Sequence, residues 1–182
     1  RVERVATDPT ENTLMNWNNT WDFGISLTHS VVKLKKDEYF PSPVTDRINI
    51  SLAGNEYESF QLALLPFSGD MKNIQVRVSD LKSKDGSLIG NKNIEVSLVD
   101  YNMIEWQADY VAEKGWHPDP LIPFRNGMTI DGSDLCRPLW ITVYAPAGTK
   151  PGNYQGTIEI SADGMKKVIA FVECRVWGFD LP

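Results

Sequence analysis

The chain has 182 residues, 42% of them hydrophobic, which suits one domain with a substantial core that needs neither metal nor disulfide staples. Its formal charge is −6, and its cationic runs are no longer than Lys33 to Lys36 and Lys166 with Lys167, which argues against nucleic acid as a partner. The longest apolar stretches are strand-sized, well short of the roughly 20 residues that cross a bilayer, so a soluble chain without a membrane span is expected.

From the N-terminus, residues 1–25 are polar and rich in Asn and Thr yet carry Trp17, Trp21 and Phe23, a pattern expected of an arm packed on a neighbouring surface. The rest, 26–182, reads as a single domain. Nearly every patterned segment has period two, and none sustains a helical apolar repeat over ten residues. Strands are predicted at 26–34, 47–52, 56–66, 74–79, 94–99, 101–109, 137–145, 154–162 and 166–177. In 56–66, Phe60, Leu62 and Leu64 alternate with Gln61 and Ala63. In 166–177, Val168, Ala170, Val172, Cys174 and Val176 form one apolar face. Such faces need another sheet to cover them. The expected fold is therefore an all-β, antiparallel two-sheet β-sandwich of immunoglobulin-like topology, with a jelly roll as second choice.

Asp85-Gly86 and Asp163-Gly164 are each read as the two positive-φ residues of a tight hairpin. The longer link 146–152, with Gly148 and Pro151, suits a change of sheet. Residues 112–135 read as a long loop punctuated by Gly115, Pro118, Pro120, Pro123 and Gly127, and ordered loops of that length usually serve a function. The chain stops as its last strand ends, which reads as a domain boundary. Cys136 and Cys174 fall at opposite ends of a three-strand meander, out of disulfide reach, so two separate buried thiols are expected.

Motifs for chemistry are sparse. There is no nucleophile elbow, and Gly86 to Lys92 fails the phosphate-loop spacing, so no cofactor is expected. His29, His117, Cys136 and Cys174 lack metal-ligand spacing. Asp131 to Asp134 reads equally as a calcium loop or an ordinary turn. Glu56 and Glu58 share a strand face, the kind of carboxylate pair glycoside hydrolysis uses, but a solvated strand face is the commoner meaning. Asn18 and Asn49 open glycosylation triplets that matter only in a eukaryotic secretory pathway. One cluster remains: Trp106, Tyr110, Trp116 and His117, with Asp119 and Phe124, fall within about twenty residues. Aromatic faces beside carboxylates grip sugars, and they equally fill a core edge or a domain interface. Trp106, Tyr110, Trp116, His117 and Asp119 are the candidate residues for contact with a ligand or a neighbouring domain.

The run Trp116-His-Pro-Asp-Pro-Leu-Ile-Pro123 resembles a segment of the N-terminal domains of family-123-like glycoside hydrolases and their bacterial relatives. Ala53-Gly-Asn-Glu-Tyr-Glu-Ser-Phe-Gln-Leu62, the stretch 139–145 with Pro151-Gly-Asn-Tyr-Gln-Gly156, and Val176-Trp-Gly-Phe-Asp-Leu-Pro182 agree in the same order. The resemblance implies a β-sandwich that precedes a (β/α) barrel, with catalysis in the barrel on β-linked N-acetylgalactosamine, assisted by the substrate's acetamido group and an Asp-Glu pair. That pair has no counterpart here, so no catalytic residue carries over and the chain itself is expected to be noncatalytic. By the same resemblance its partner is a downstream catalytic barrel beyond Pro182, its location a bacterial periplasm, cell surface or exterior, and the aromatic loop a contact with the barrel or the rim of its cleft. A glycan-binding module, or a freestanding adhesion domain, is the alternative.

Overall fold

A computed structural model describes residues 22–41, 43–105 and 114–182. Among them twelve strands form two sheets. The first is ordered β1 (Phe23–His29), β3 (Glu56–Pro66), β10 (Arg137–Ala145), β7 (Ile94–Ile104) and β8 (Gly115–Pro123). The second runs β2 (Arg47–Gly54), β12 (Val168–Asp180), β11 (Gly152–Ser161), β4 (Met71–Val78) and β9 (Met128–Ile130), with a small hairpin of β5 (Leu81–Ser83) and β6 (Leu88–Ile89) attached to β11. The fold is the expected all-β, immunoglobulin-like sandwich. Pairing is antiparallel except that β12 runs parallel to β2.

The inner faces follow the period-two pattern. Phe60, Leu62 and Leu64 of β3 and Leu139, Ile141 and Val143 of β10 meet Ile158 and Ile160 of β11 and Ala170, Val172 and Cys174 of β12, all buried in one core. Full burial of each large aliphatic or aromatic side chain stabilises by about 1.5–3 kcal/mol. Tyr154 is buried at the start of β11 and its hydroxyl donates to the Lys150 carbonyl, 2.7 Å away and four residues upstream. This is the backbone anchor found at the corner of immunoglobulin-like sandwiches.

A second, smaller core lies on the other side of β3. Leu34 packs with Ala63, Leu65 and Cys136, and Val32, Phe40 and Phe67 close over them. The predicted strand 26–34 is accordingly shorter than expected: β1 ends at His29, because Leu34 is drawn into this cluster and the chain must turn to deliver it. Gln61, buried on β3, fixes that turn by donating to the carbonyls of His29, Ser30 and Val32.

Four other expectations change. Strands 94–99 and 101–109 are one strand through Ile104; positions 106–109 lie outside the described residues, as does the N-terminal arm up to residue 21. The expected loop 112–135 contains β8 and β9. Prolines are admissible in β8 because it is an edge strand, and a bulge sets Asp119 and Pro120 opposite the single residue Asp100. The last three strands are not one meander: β10 belongs to the first sheet, while β11 and β12 form a hairpin in the second, so link 146–152 does change sheet. In the Asp85-Gly86 and Asp163-Gly164 turns only the glycines have positive φ, 86° and 71°. At the first, Ser83 N donates to Ser87 O at 2.9 Å across three loop residues. A left-handed glycine after a tighter turn replaces the two-residue hairpin. Both cysteines are free and buried.

Candidate functional site

Trp106 and Tyr110 lie outside the described residues. Trp116, His117 and Asp119 sit on the edge strand β8, where Trp116 is opposite Met103 and His117 opposite Asn102. Alternation sends Trp116 and His117 to opposite faces. Asn102 Nδ2 donates to Asp119 Oδ2 at 3.3 Å, which groups Asp119 with the His117 side. On the other side the Lys36 ammonium stands 3.7 Å from the centroid of the Trp116 ring. An ammonium over an indole is an attractive cation–π contact, and it covers one ring face.

Behind this edge lies a set of charges whose partners are protein groups. Arg137 reaches Asp100 at 3.1 Å and Asp134 at 3.5 Å, and its guanidinium is 5.1 Å from the Tyr101 ring centroid. The Tyr101 hydroxyl donates to the Leu34 carbonyl at 2.8 Å, tying β7 to the second core. Burial raises the Asp134 carboxyl above its ordinary range, with Arg137 and Lys36 opposing that shift. Asp131 accepts from Ser133 N at 2.8 Å and turns the loop. Glu56, of the carboxylate pair, accepts from Ala53 N at 2.5 Å and so closes the turn from β2 to β3. Among the described residues no group of three His, Cys, Asp or Glu side chains converges as a metal site would require. These groups buttress the fold, and none is arranged as nucleophile and base.

Two further surfaces are built from residues that form no local sequence motif. At the finish of β12, Leu181 N donates to Gly54 O at 2.8 Å, Asn55 Nδ2 donates to Leu181 O at 3.2 Å, and Gly148 N donates to Asp180 Oδ2 at 2.9 Å. Asn55 holds this position in a left-handed conformation, φ 58°, and also accepts from the Tyr144 hydroxyl at 2.9 Å. Tyr144 in turn stacks on Tyr57, with centroids 4.3 Å apart. Tyr57, Phe179 and Leu181 are exposed around this knot.

The second surface is the outer face of the second sheet. Register aligns Lys82, Gln155, Glu173 and Asn49 in one row across β5, β11, β12 and β2; Asn153, Arg175 and Ser51 form the next row, at the end from which Lys84 leaves β5. The face is a groove of about 520 Å³ beside the β5–β6 hairpin. The signal for it is the polar half of the same alternation that marks the core, read in four segments far apart in sequence.

The family model described as the glycoside hydrolase 123 N-terminal domain matches residues 32–162. A family 123 glycoside hydrolase from Clostridium perfringens, solved in a study of glycolipid glycan hydrolysis, superposes with a TM-score of 0.77 at 20% identity; the match covers 88% of this chain and 28% of that enzyme. The N-terminal domain of PorA aligns over 86% of this chain and 99% of its own with a TM-score of 0.43 and 10% identity, and the Escherichia coli adhesin CfaE over 88% and 49% with 0.37 and 13%. Scores that low bear on nothing beyond general shape. No curated protein matches the chain.

Proposed function

This chain belongs to the glycoside hydrolase 123 N-terminal domain family, and from that membership we propose that it is a noncatalytic accessory domain that packs on a (β/α) barrel and positions it. The carrying observation is the knot at the end of β12. A segment held by three hydrogen bonds leaves the sandwich in a fixed direction, and it leaves beside apolar side chains that water would rather not cover: Tyr57 is 65% exposed, Phe179 58% and Leu181 39%. A barrel seated there would bury that patch and inherit the orientation.

The β8 edge is the second contact surface under this proposal. Met103, Leu121 and Ile122 are exposed along it beside Trp116, His117 and Asp119, while Lys36 takes one face of the Trp116 ring. That run of exposed apolar side chains favours a neighbouring domain over a stacked sugar. The barrel would act on β-linked N-acetylgalactosaminides, as the resemblance implies, and would do so outside the cytoplasm of a bacterium. Among the described residues no helix is long and apolar enough to cross a membrane.

The chain should release nothing from aryl β-N-acetylgalactosaminides, and turnover abolished by a point substitution in it would overturn the noncatalytic assignment. In a protein that carries the barrel after this domain, Tyr57→Asp with Phe179→Asp should lower the barrel's melting midpoint. An unchanged midpoint would remove the packing role.

A further inference from the structure

The outer face of the second sheet combines features that the accessory role does not use. The chain carries six excess negative charges, yet this groove gathers Lys82, Lys84 and Arg175. Its two carboxylates are already engaged: Glu173 accepts from Gln155 at 3.3 Å, and Asp85 accepts from Ser83 Oγ and, at 3.0 Å, from Ser87 N. Those bonds, first of all the Ser83 hydroxyl, hold the Asp85 carboxyl down to about 2. Among the described residues, the Lys82 and Lys84 ammonium groups meet no hydrogen-bond or ion-pair partner. Asn49 and Asn153 present neutral amides in the same two rows, each with donors and an acceptor directed away from the core. In the middle of the second row the Arg175 guanidinium lies 4.1 Å from the centroid of Trp177, which follows it on β12 and whose ring is partly exposed.

We propose that this groove binds a linear oligosaccharide that bears carboxylates. Side chains in adjacent strands are spaced by about 4.8 Å, and the two rows by about 6.6 Å along the strand, so a chain of sugar rings laid across the rows meets a polar group at each step. Amides pair with ring hydroxyls because both partners donate and accept. The Arg175 fork matches a planar carboxylate in two parallel hydrogen bonds, which a point-charge ammonium does not, and Lys82 and Lys84 add charge without a fixed direction. Trp177 stands just past the groove lining, and the ring face that Arg175 leaves uncovered is apolar and suits the C–H side of a terminal ring. The cavity volume lies within the range of built ligand sites. The site is separate from the Trp116 edge and does not depend on the presence of a barrel.

The probe is tetragalacturonate, titrated into the chain by calorimetry, with the carboxyl-reduced tetrasaccharide, a sulfated tetrasaccharide and poly-glutamate as comparators. Tetragalacturonate should bind and weaken with added salt. Lys82→Ala with Lys84→Ala should raise its Kd at least tenfold with an unchanged melting midpoint, because both side chains are exposed, and Trp177→Ala should raise Kd as much while the chain stays folded at the temperature of the titration. Trp116→Ala should leave Kd as it was. No binding, or equal binding of the reduced sugar, overturns the proposal. Tighter binding of the sulfated sugar overturns the carboxylate, and equal binding of poly-glutamate overturns the glycan. A loss in Trp116→Ala overturns the location.

Discussion

Asp180 fills the space that a Cβ on Gly54 would need. A methyl group at that position would overlap Asp180 Oδ1, far inside van der Waals contact, and the same carboxylate holds Gly148 N through its other oxygen at 2.9 Å. Gly54→Ala must therefore turn Asp180 away and release Gly148, at a cost of about 1–3 kcal/mol in chemical denaturation. In an Asp180→Ala background the same substitution should cost at least about 0.5 kcal/mol less, because the two residues act on one space. Additive losses would show that the clash is relieved elsewhere.

Gly132 faces backbone instead of a side chain. Its Cβ would strike the carbonyl carbon and Cα of Gly69 and the nitrogen of Asp70. Gly132→Ala should cost more than Gly54→Ala, about 3 kcal/mol or above, since neither chain can step aside without breaking the bond from Gly132 N to Asp70 Oδ1. Gly148→Ala is the useful contrast. That residue has φ 75° and nothing within 4 Å, so only the left-handed backbone is strained, at about 1–2 kcal/mol. Of the three variants, Gly132→Ala should have the lowest urea midpoint.

Arg137→Ala leaves Asp134 buried without its counter-charge, and a loss of about 3 kcal/mol is expected at pH 7. Burial already raises the Asp134 carboxyl. A carboxyl raised by folding is bound to its proton more firmly in the folded chain, so its ionisation opposes stability at neutral pH, and the opposition is relieved as pH falls towards the folded value. The deficit of the variant should shrink between pH 7 and pH 5. It should lose that pH dependence when Asp134→Asn is added.

Cys136 and Cys174 are both pushed up to about 12 by burial. In the native chain neither should react with an aromatic disulfide reagent at pH 8, and both should react in denaturant. The thiols keep their protons in the folded state while the unfolded chain loses them above about 9, so stability present below that value declines as pH climbs towards 12. The limiting slope is about 1.4 kcal/mol per pH unit for each thiol. Replacing both with Ala should flatten the alkaline limb of the urea midpoint, and an unchanged limb would assign the decline to other groups such as the buried Tyr101 hydroxyl, also raised by burial.

Tyr154→Phe removes one hydroxyl and leaves the ring in place. The lost bond to Lys150 O should cost about 1 kcal/mol, the usual net contribution of a part-buried hydrogen bond. A change within a few tenths of a kcal/mol would mean that water replaces the hydroxyl.

Strand 137–145 was legible to the residue because from Leu139 it alternates between covered and partly covered positions, and 56–66 because Phe60, Leu62 and Leu64 mark one face, although from Phe60 to Pro66 the other face is buried as well, beneath the second core. The residue β8 hides behind is proline. Pro118, Pro120 and Pro123 argue against a strand in the middle of a sheet, and only the tertiary placement at an edge makes them compatible with one. Leu34 misled in the opposite sense, since an apolar residue after an alternating run extends a strand by pattern alone, and nothing local reports that it is drawn to Ala63 and Leu65 instead. The aromatic segment around Trp116 was visible as a cluster in sequence, but the pleat divides Trp116 from His117 and Lys36 arrives from 80 residues away. The polar rows of the second sheet could not be assembled without knowing that β5, β11, β12 and β2 are neighbours.

The parallel pairing of β2 with β12 sets the order in which the molecule can form. Ile48 is opposite Val172 and Leu52 opposite Val176, more than a hundred residues on, and β12 lies between β2 and β11 in the sheet. A ribosome must therefore release nearly all of the described sequence before the second sheet closes, and until then β2 and β11 both carry unpaired edges. Contacts this distant slow folding towards milliseconds or seconds, so nascent chains have a long interval in which a chaperone, or another copy, can reach those edges first.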